Sequence, residues 1–289
     1  MANKKKPVAA SILEWEGLNK KMFAHLSKGE YARGAMVAQQ ALAIAVKKAS
    51  PDHPNLAESQ QNLATIYLAQ GKLVPALSLF QQALAIREKR FGPYHPAVAE
   101  TLHGLALVFQ EQDRDIPALS LLKRALTIRE NRFGPDHPEV AKSISGLATL
   151  YLKQGKPVPA LSLFKRALAI REQRYGQEHP EVAASVHQLA LFYANQGKNI
   201  PALSLFKRAL AVRERVCGPM HPDVAESLMG LVALYQKDGK NVAAIPLLKR
   251  ALLIKKRALG PNHATVTALT EQLALLTQGV GGGASAPAQ

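Results

Sequence analysis

The 289-residue chain has a single cysteine, a single tryptophan and only 6% aromatic residues. A lone Cys217 excludes an internal disulfide and a cysteine-rich metal centre, and such usage is typical of a reducing compartment. No stretch approaches the roughly 18 uninterrupted apolar residues of a membrane-spanning helix. The opening MANKKKPVAASILEWEGLNK carries a basic cluster, but Glu14 and Glu16 interrupt what would be the apolar core of a secretory leader. A soluble, cytoplasmic protein is expected. Catalytic signatures are missing too: the chain has no phosphate loop, no Gly-x-Ser-x-Gly elbow and no His-Glu-x-x-His pair. Neither an enzyme nor a bound cofactor is expected.

What the chain has in excess is positive charge. Lys and Arg number 37 against 21 Asp and Glu, a formal net charge of +16 that attracts acidic partners at long range. These residues are spread along the chain and do not form a basic tail. Hydrophobic residues reach 47%, the composition of a folded protein.

The order of residues says more than their totals. His-Pro occurs at His53, His95, His137, His179 and His221, every 42 residues, and His263 keeps the register with Ala264 in place of proline. Between these marks one pattern recurs: an apolar-periodic run, a break like Gln70-Gly71-Lys72, a second run ending like Ile86-Arg87-Glu88, then Gly-Pro-x-His-Pro. Val98, Leu102, Leu105, Ala106 and Phe109 form the stripe of one amphipathic helix, and Ala118, Leu122, Ala125, Leu126 and Arg129 that of a second. Pro96 and Pro117 fit first turns, where a missing N–H has no intrahelical partner. Gly134 is expected to close the second helix as a left-handed cap, and Pro135 prevents its continuation. The reading is two helices per repeat, each of about 16 residues.

A period in the forties also suits HEAT, armadillo and β-propeller arrays. The residues choose among them. Leu63-Ala64, Tyr67, Gly71, Ala76, Phe80 and Ala83 have the spacing of tetratricopeptide repeats, and Leu147-Ala148, Tyr151, Gly155, Ala160, Phe164 and Ala167 repeat it. The usual period of that family is 34 residues. The eight extra residues lengthen the second helix and its exit through Ile86 to Pro96, and this longer unit resembles the repeats of kinesin light chains and their bacterial relatives. No long heptad coiled coil accompanies them, so the likeness is to the repeats and not to the motor complex.

The resemblance implies an all-α, right-handed α-solenoid of tetratricopeptide helix-turn-helix repeats, with first helices on the concave side and second helices outside. Residues 1–10 are expected to be a basic disordered start, 11–52 a degenerate capping repeat, 53–262 five full repeats, 263–278 a capping helix and 279–289 a flexible tail. Lys21 and His25, standing where Leu63 and Tyr67 stand in the next unit, fit a polar cap.

If the Leu63 and Tyr67 stripe is buried, helical geometry turns Gln61, Thr65 and Ala69 to the groove. Down the array the rows read Gln61, His103, Ser145, His187 and Met229; Thr65, Leu107, Thr149, Leu191 and Ala233; Ala69, Glu111, Lys153, Asn195 and Lys237. This mixed surface suits an extended or helical peptide better than a small metabolite. The resemblance adds that an asparagine before the Leu-Ala pair contacts peptide backbone. Asn62 keeps it, while Gly104, Gly146, Gln188 and Gly230 replace it. The expected partner is a protein or peptide, favoured if acidic.

A second surface competes. Lys123-Arg124, Lys165-Arg166, Lys207-Arg208 and Lys249-Arg250 recur on second helices and form a convex ladder able to hold nucleic acid or anionic membrane. The glutamates Glu88, Glu130, Glu172 and Glu214 run beside it, and no aromatic platform accompanies it, which argues against nucleic acid. A third reading is end-to-end stacking of incomplete caps, so that the protein is a monomer or an end-stacked oligomer. The six histidines lie a full repeat apart and cannot share one metal ion, so they are expected at helix entries. Cys217, in the place of Phe91, Phe133 and Tyr175, is expected to be a buried structural thiol.

Overall fold

A computed structural model of the chain describes residues 6–48, 50 and 52–281, and among them it contains thirteen α-helices and no strand. Six hairpins pair α1 (Lys6–Leu26) with α2 (Tyr31–Lys48), α3 (Pro54–Ala69) with α4 (Leu73–Phe91), α5 (Pro96–Glu111) with α6 (Asp115–Phe133), α7 (Pro138–Lys153) with α8 (Pro157–Tyr175), α9 (Pro180–Asn195) with α10 (Asn199–Cys217), and α11 (Pro222–Lys237) with α12 (Asn241–Leu259). A single α13 (Ala264–Gly281) follows. First helices of the full repeats have 16 residues and second helices 19, so the eight-residue excess does lengthen the second helix.

The ends depart from expectation. α1 already begins at Lys6, inside the stretch 1–10 expected to be disordered, and α13 runs on to Gly281, past the boundary expected at 278. Residues 1–5 and 282–289 lie outside the described residues. Lys21 is exposed as a cap residue should be, but Leu13 and Phe23 of α1 are exposed beside it. Trp15 is buried, and its indole N–H donates to Ser59 Oγ of α3 at 2.7 Å.

The His-Pro marks explain themselves as helix starts. An α-helix leaves its first N–H groups without partners. At His53, His95, His137, His179 and His221, Nδ1 accepts from the N–H two residues on at 3.1 to 3.2 Å, and the proline between them has no N–H to satisfy. His263 caps α13 in the same way. Three of these rings stack on the aromatic that closes the preceding helix: Phe91 on His95, Phe133 on His137 and Tyr175 on His179, with centroids 4.2 to 4.6 Å apart. The second helices end as expected on glycine, but not in the left-handed helical well. Gly134 has φ 84° and ψ 164°, a conformation essentially reserved for glycine.

Packing divides the chain into two compact units, one running to Ile170 and the other comprising Arg171 onward together with the loop Ser27–Glu30. Within each unit no hairpin closes a core alone. In the first, Ala64 of α3, Ala76 and Phe80 of α4, and Leu105 and Val108 of α5 form one buried cluster. Ala106, Ala118, Leu122, Leu147 and Leu150 form the next from α5, α6 and α7. In the second unit Ala190, Ala202, Phe206, Leu231 and Leu234 do the same for α9, α10 and α11. Other clusters lie within one hairpin and are completed by the preceding helix: Val98, Ala99, Leu102, Ala125 and Ile128 of α5 and α6 pack against Leu84 of α4. First helices also approach each other closely, α5 lying against α3 and α7, and α11 against α9, whereas the backbones of the second helices α4 and α6 stand farther apart, bridged by the long Arg124 side chain. Each unit therefore bends with its first helices on the inner side.

Glycine within the first helices is a packing device. A Cβ on Gly104 would lie 2.5 Å from the Phe80 ring, one on Gly146 2.8 Å from Leu122, and one on Gly230 2.3 Å from Phe206. Gly17, on the exposed side of α1, has nothing within 4 Å of such a Cβ. Gly17→Ala should thus raise stability by about 1 kcal/mol through helix propensity alone. Gly104→Ala gains the same propensity but forces Phe80 aside, and should lose about 1–2 kcal/mol net. Urea unfolding of the two variants beside the parent checks the opposite signs.

Candidate functional site

The first-helix face is built from positions that the apolar stripe leaves over, but the structure splits the three rows. Thr65 and Thr149 are exposed and Leu107 is half-buried in the first unit; Leu191 and Ala233 are exposed in the second. The row of Ala69, Glu111 and Lys153, and of Asn195 and Lys237, is exposed as well. The remaining row is not a surface. Gln61, Ser145 and His187 are 6%, 4% and 8% exposed, and His103 is half-buried. The expectation that this row faces the groove is corrected: because first helices touch one another, it falls in the seam between them. Gln61 Oε1 takes a long hydrogen bond from Arg87 at 3.4 Å, and His103 lies against Gly146 on the next first helix.

Polar groups at the seam are mostly engaged. Asn62 donates to Asn19 Oδ1 at 3.3 Å, so the asparagine that the kinesin light chain likeness assigns to peptide backbone meets the capping helix here. Thr65 and Thr149 donate to the carbonyls of Gln61 and Ser145 one turn back. Lys153 Nζ reaches Asp113 Oδ1 at 2.5 Å and the Gln110 carbonyl at 3.0 Å, and the hydrogen bond to Asp113, with further help from Asp115, pushes the ammonium pKa up. Two acceptors of α9 are left over: His187 Nδ1 and Gln188 Oε1 are enclosed and have no hydrogen-bond partner. The His187 ring meets Phe206 edge-on at 5.2 Å. Burial, aided by the nearby Arg213 charge, lowers its pKa to about 3.

The second-helix ladder is half consumed. Arg124 pairs with Glu88 at 2.6 Å and donates to the Pro93 carbonyl, and Arg166 pairs with Glu130 at 3.5 Å and donates to the Pro135 carbonyl. In the second unit Arg208 pairs with Glu172 at 2.7 Å and Arg250 with Glu214. Each arginine reaches back 36 residues to the preceding second helix. Lys123, Lys165, Lys207 and Lys249 stay exposed. Exposed pairs of this kind contribute about 0–1 kcal/mol each, so they align neighbours more than they stabilise them.

Two features lie outside the sequence reading. Arg87, Arg129, Arg171 and Arg213, the arginines of the Ile-Arg-Glu and Val-Arg-Glu endings, are buried. Each donates to a hydroxyl 14 residues on: Thr101, Ser143, Ser185 and Ser227, at 2.5 to 2.8 Å. Arg129 therefore shares the buried stripe with leucines without being apolar, and desolvation lowers its pKa. The recurrence of Ser or Thr at that spacing was the available signal. The second feature is a row of exposed β-branched residues in the first turn of the second helices: Val74, Ile116 and Val158 in one unit, Ile200 and Val242 in the other, all between 69% and 86% exposed. Cys217, expected to be buried, is half-buried, and burial raises its thiol pKa. Among the described residues no cluster of three or more His, Cys, Asp or Glu is arranged to hold a metal, and no helix is long and apolar enough to cross a membrane.

This arrangement is that of a helical repeat protein, and the tetratricopeptide repeat family matches residues 18–89, 76–131, 118–173 and 181–252. The chain belongs to that family. Its repeats are similar to those of kinesin light chain-like proteins. A protein of nearly identical tetratricopeptide-like repeats from Podosopora anserina, described as a kinesin light chain, is 29% identical, with a TM-score of 0.50 over 71% of this chain and 97% of that one. BtubC from P. vanneervenii is 22% identical, with a TM-score of 0.55 over 82% of this chain and 91% of its own. A Rap protein solved in complex with Competence and Sporulation Factor shares the fold at 15% identity, with a TM-score of 0.65 over 94% and 76%. No curated protein matches significantly. Tetratricopeptide repeats generally mediate protein–protein interaction and bind protein or peptide partners, and such proteins are generally scaffolds without catalysis.

His187 supplies a test of the seam. Its pKa of about 3 in the folded state lies below the ordinary 6.5, so the unfolded chain binds the proton more readily. The stability it confers is complete above pH 6.5 and is lost as pH falls from there toward about 3, by roughly 2 kcal/mol at pH 5. In His187→Asn that loss disappears, so the gap between parent and variant in urea midpoint should stay constant from pH 8 to 7 and shift toward the variant as pH drops to 5.

Proposed function

We propose that the chain is a non-enzymatic interaction scaffold that binds a peptide or partner helix along its first-helix face. The observation that carries this reading is the division of the face into an engaged seam and an exposed strip. In the first unit Thr65, Thr149 and Lys153 offer polar and cationic contacts and Leu107 an apolar one, above Gln61, His103 and Ser145 with Asn62 beside them. In the second unit Asn195 and Lys237 offer the polar contacts and Leu191 the apolar one, above His187 with Gln188 beside it. A mixed strip with few free charges suits recognition by side-chain pockets and main-chain hydrogen bonds, and helical repeats of the same fold carry a bound factor in the Rap complex.

The ladder is the weaker surface, because its arginines are already paired with Glu88, Glu130, Glu172 and Glu214. A combined variant, Thr65→Asp, Thr149→Asp and Asn195→Asp, alters only exposed positions and should leave the fold intact. Immobilised on beads with extract of its native source, it should lose at least tenfold of the parent's captured partner, about 1.4 kcal/mol. The parent should keep that partner as salt is raised. Capture that collapses with salt and with Lys165→Glu and Lys207→Glu, while surviving the combined variant, would transfer the function to the second-helix lysines.

A further inference from the structure

The exposed β-branched row has no role in the first-helix face, and in the second unit it borders a shaped site. A cavity of about 150 Å³ opens between the start of α10 and the end of α11. Ile200, Leu203, Leu234 and Tyr235 make it apolar. On one wall Asn199 Nδ2 donates to Asp238 Oδ1 at 2.9 Å, and Asn199 Oδ1 is enclosed without a partner. An apolar hollow of this size elsewhere admits a benzene-sized group. Single exposed apolar residues are ordinary on protein surfaces. Here the residue beside the hollow, Ile200, is 86% exposed, and Val242 takes the equivalent place on the next second helix.

The charge around the hollow selects its occupant. Lys240 lines it, and the exposed Lys198 and Lys237 immediately precede the lining residues Asn199 and Asp238 in the chain; the one lining carboxylate, Asp238, already serves Asn199 and lies 3.7 Å from Lys240. Lys198, at the N-cap of α10, makes no side-chain cap. A second copy of this chain, at +16, would meet the edge with repulsion. We infer that this hairpin-tip edge docks an acidic amphipathic segment of another protein: an apolar side chain enters the hollow beside Ile200, and its carboxylates meet Lys198, Lys237 and Lys240. The hollow takes a discrete side chain, and the lysines fix the segment's direction and speed its encounter. Lys72, Arg114 and Lys156, each two residues before Val74, Ile116 and Val158, repeat the basic and apolar pairing in the first unit.

The test uses three fluorescein-labelled synthetic helices: one with leucines on one face and glutamates on the other, a twin with lysines for glutamates, and a twin with glutamines for leucines. Anisotropy titration of the full chain should show binding of the glutamate–leucine helix alone. Ile200→Asp, an exposed position whose change spares the fold, should weaken it at least tenfold, and the pair Lys198→Glu with Lys240→Glu comparably. Absence of binding overturns the inference, as does equal binding of all three helices. Loss on Thr149→Asp but not on Ile200→Asp would place the helix on the first-helix face instead. An Ile200-dependent affinity for phosphatidylserine vesicles with none for the helix would assign the edge to membrane, and an Ile200-dependent dimer in light scattering would assign it to a second copy.

Discussion

At three crossings a large apolar side chain laid on bare backbone joins one repeat to the next. Phe80 sits where Gly104 has no side chain, Leu122 over Gly146, and Phe206 over Gly230. A second helix can approach the following first helix this closely only because a glycine yields the space, and a glycine in mid-helix, which costs ~1 kcal/mol relative to alanine, is tolerable only because a large side chain covers it. The buried clusters on either side, each drawn from three consecutive helices, depend on that approach. So does the bend that sets first helices side by side and turns Thr65, Thr149 and Lys153 outward on the inner side.

Charge is distributed by the same geometry. Two recurring sets of arginines have fixed duties: one set is buried against the hydroxyl of the next first helix, and the other spans back to a glutamate of the previous second helix. A guanidinium suits both, since its several donors can satisfy a hydroxyl, a carbonyl and a carboxylate together. Exposed lysines, with exposed arginines such as Arg90, Arg132 and Arg174, supply the remaining positive field. The functional consequence is that the +16 surplus overstates the charge available to a guest, and that what remains is gathered at exposed lysines on the second helices and at the hairpin tips.

The architecture was legible because it is written five times over. His-Pro at constant spacing, the Leu-Ala and Ala pairs and the closing glycine each have one local physical cause, a cap, a close crossing or a positive φ, and local causes can be read from local sequence. The site was legible only in part. Helical periodicity tells which way Gln61 or His187 points on its own helix, but not that a neighbouring first helix lies there, so a position opposite the main stripe was taken for surface. Arg129 illustrates the converse: its place in the stripe was visible, but its burial depends on Ser143 in the next repeat. The exposed Val74 and Ile200 were invisible for a further reason, since an apolar residue in a first turn looks like core until its neighbours are known.

The recurring bonds between repeats are short in sequence terms. The ring-on-glycine contact spans 24 residues, the buried arginine 14 and the ladder arginine 36, all less than the 42-residue period. Through these three contacts a repeat meets only its immediate neighbours, whatever its ordinal place. Duplication or excision of one whole period within a gene rejoins ends that already fit, so the lineage of such a chain can lengthen or shorten its array by recombination, while a cut at any other interval strands a ring without its glycine.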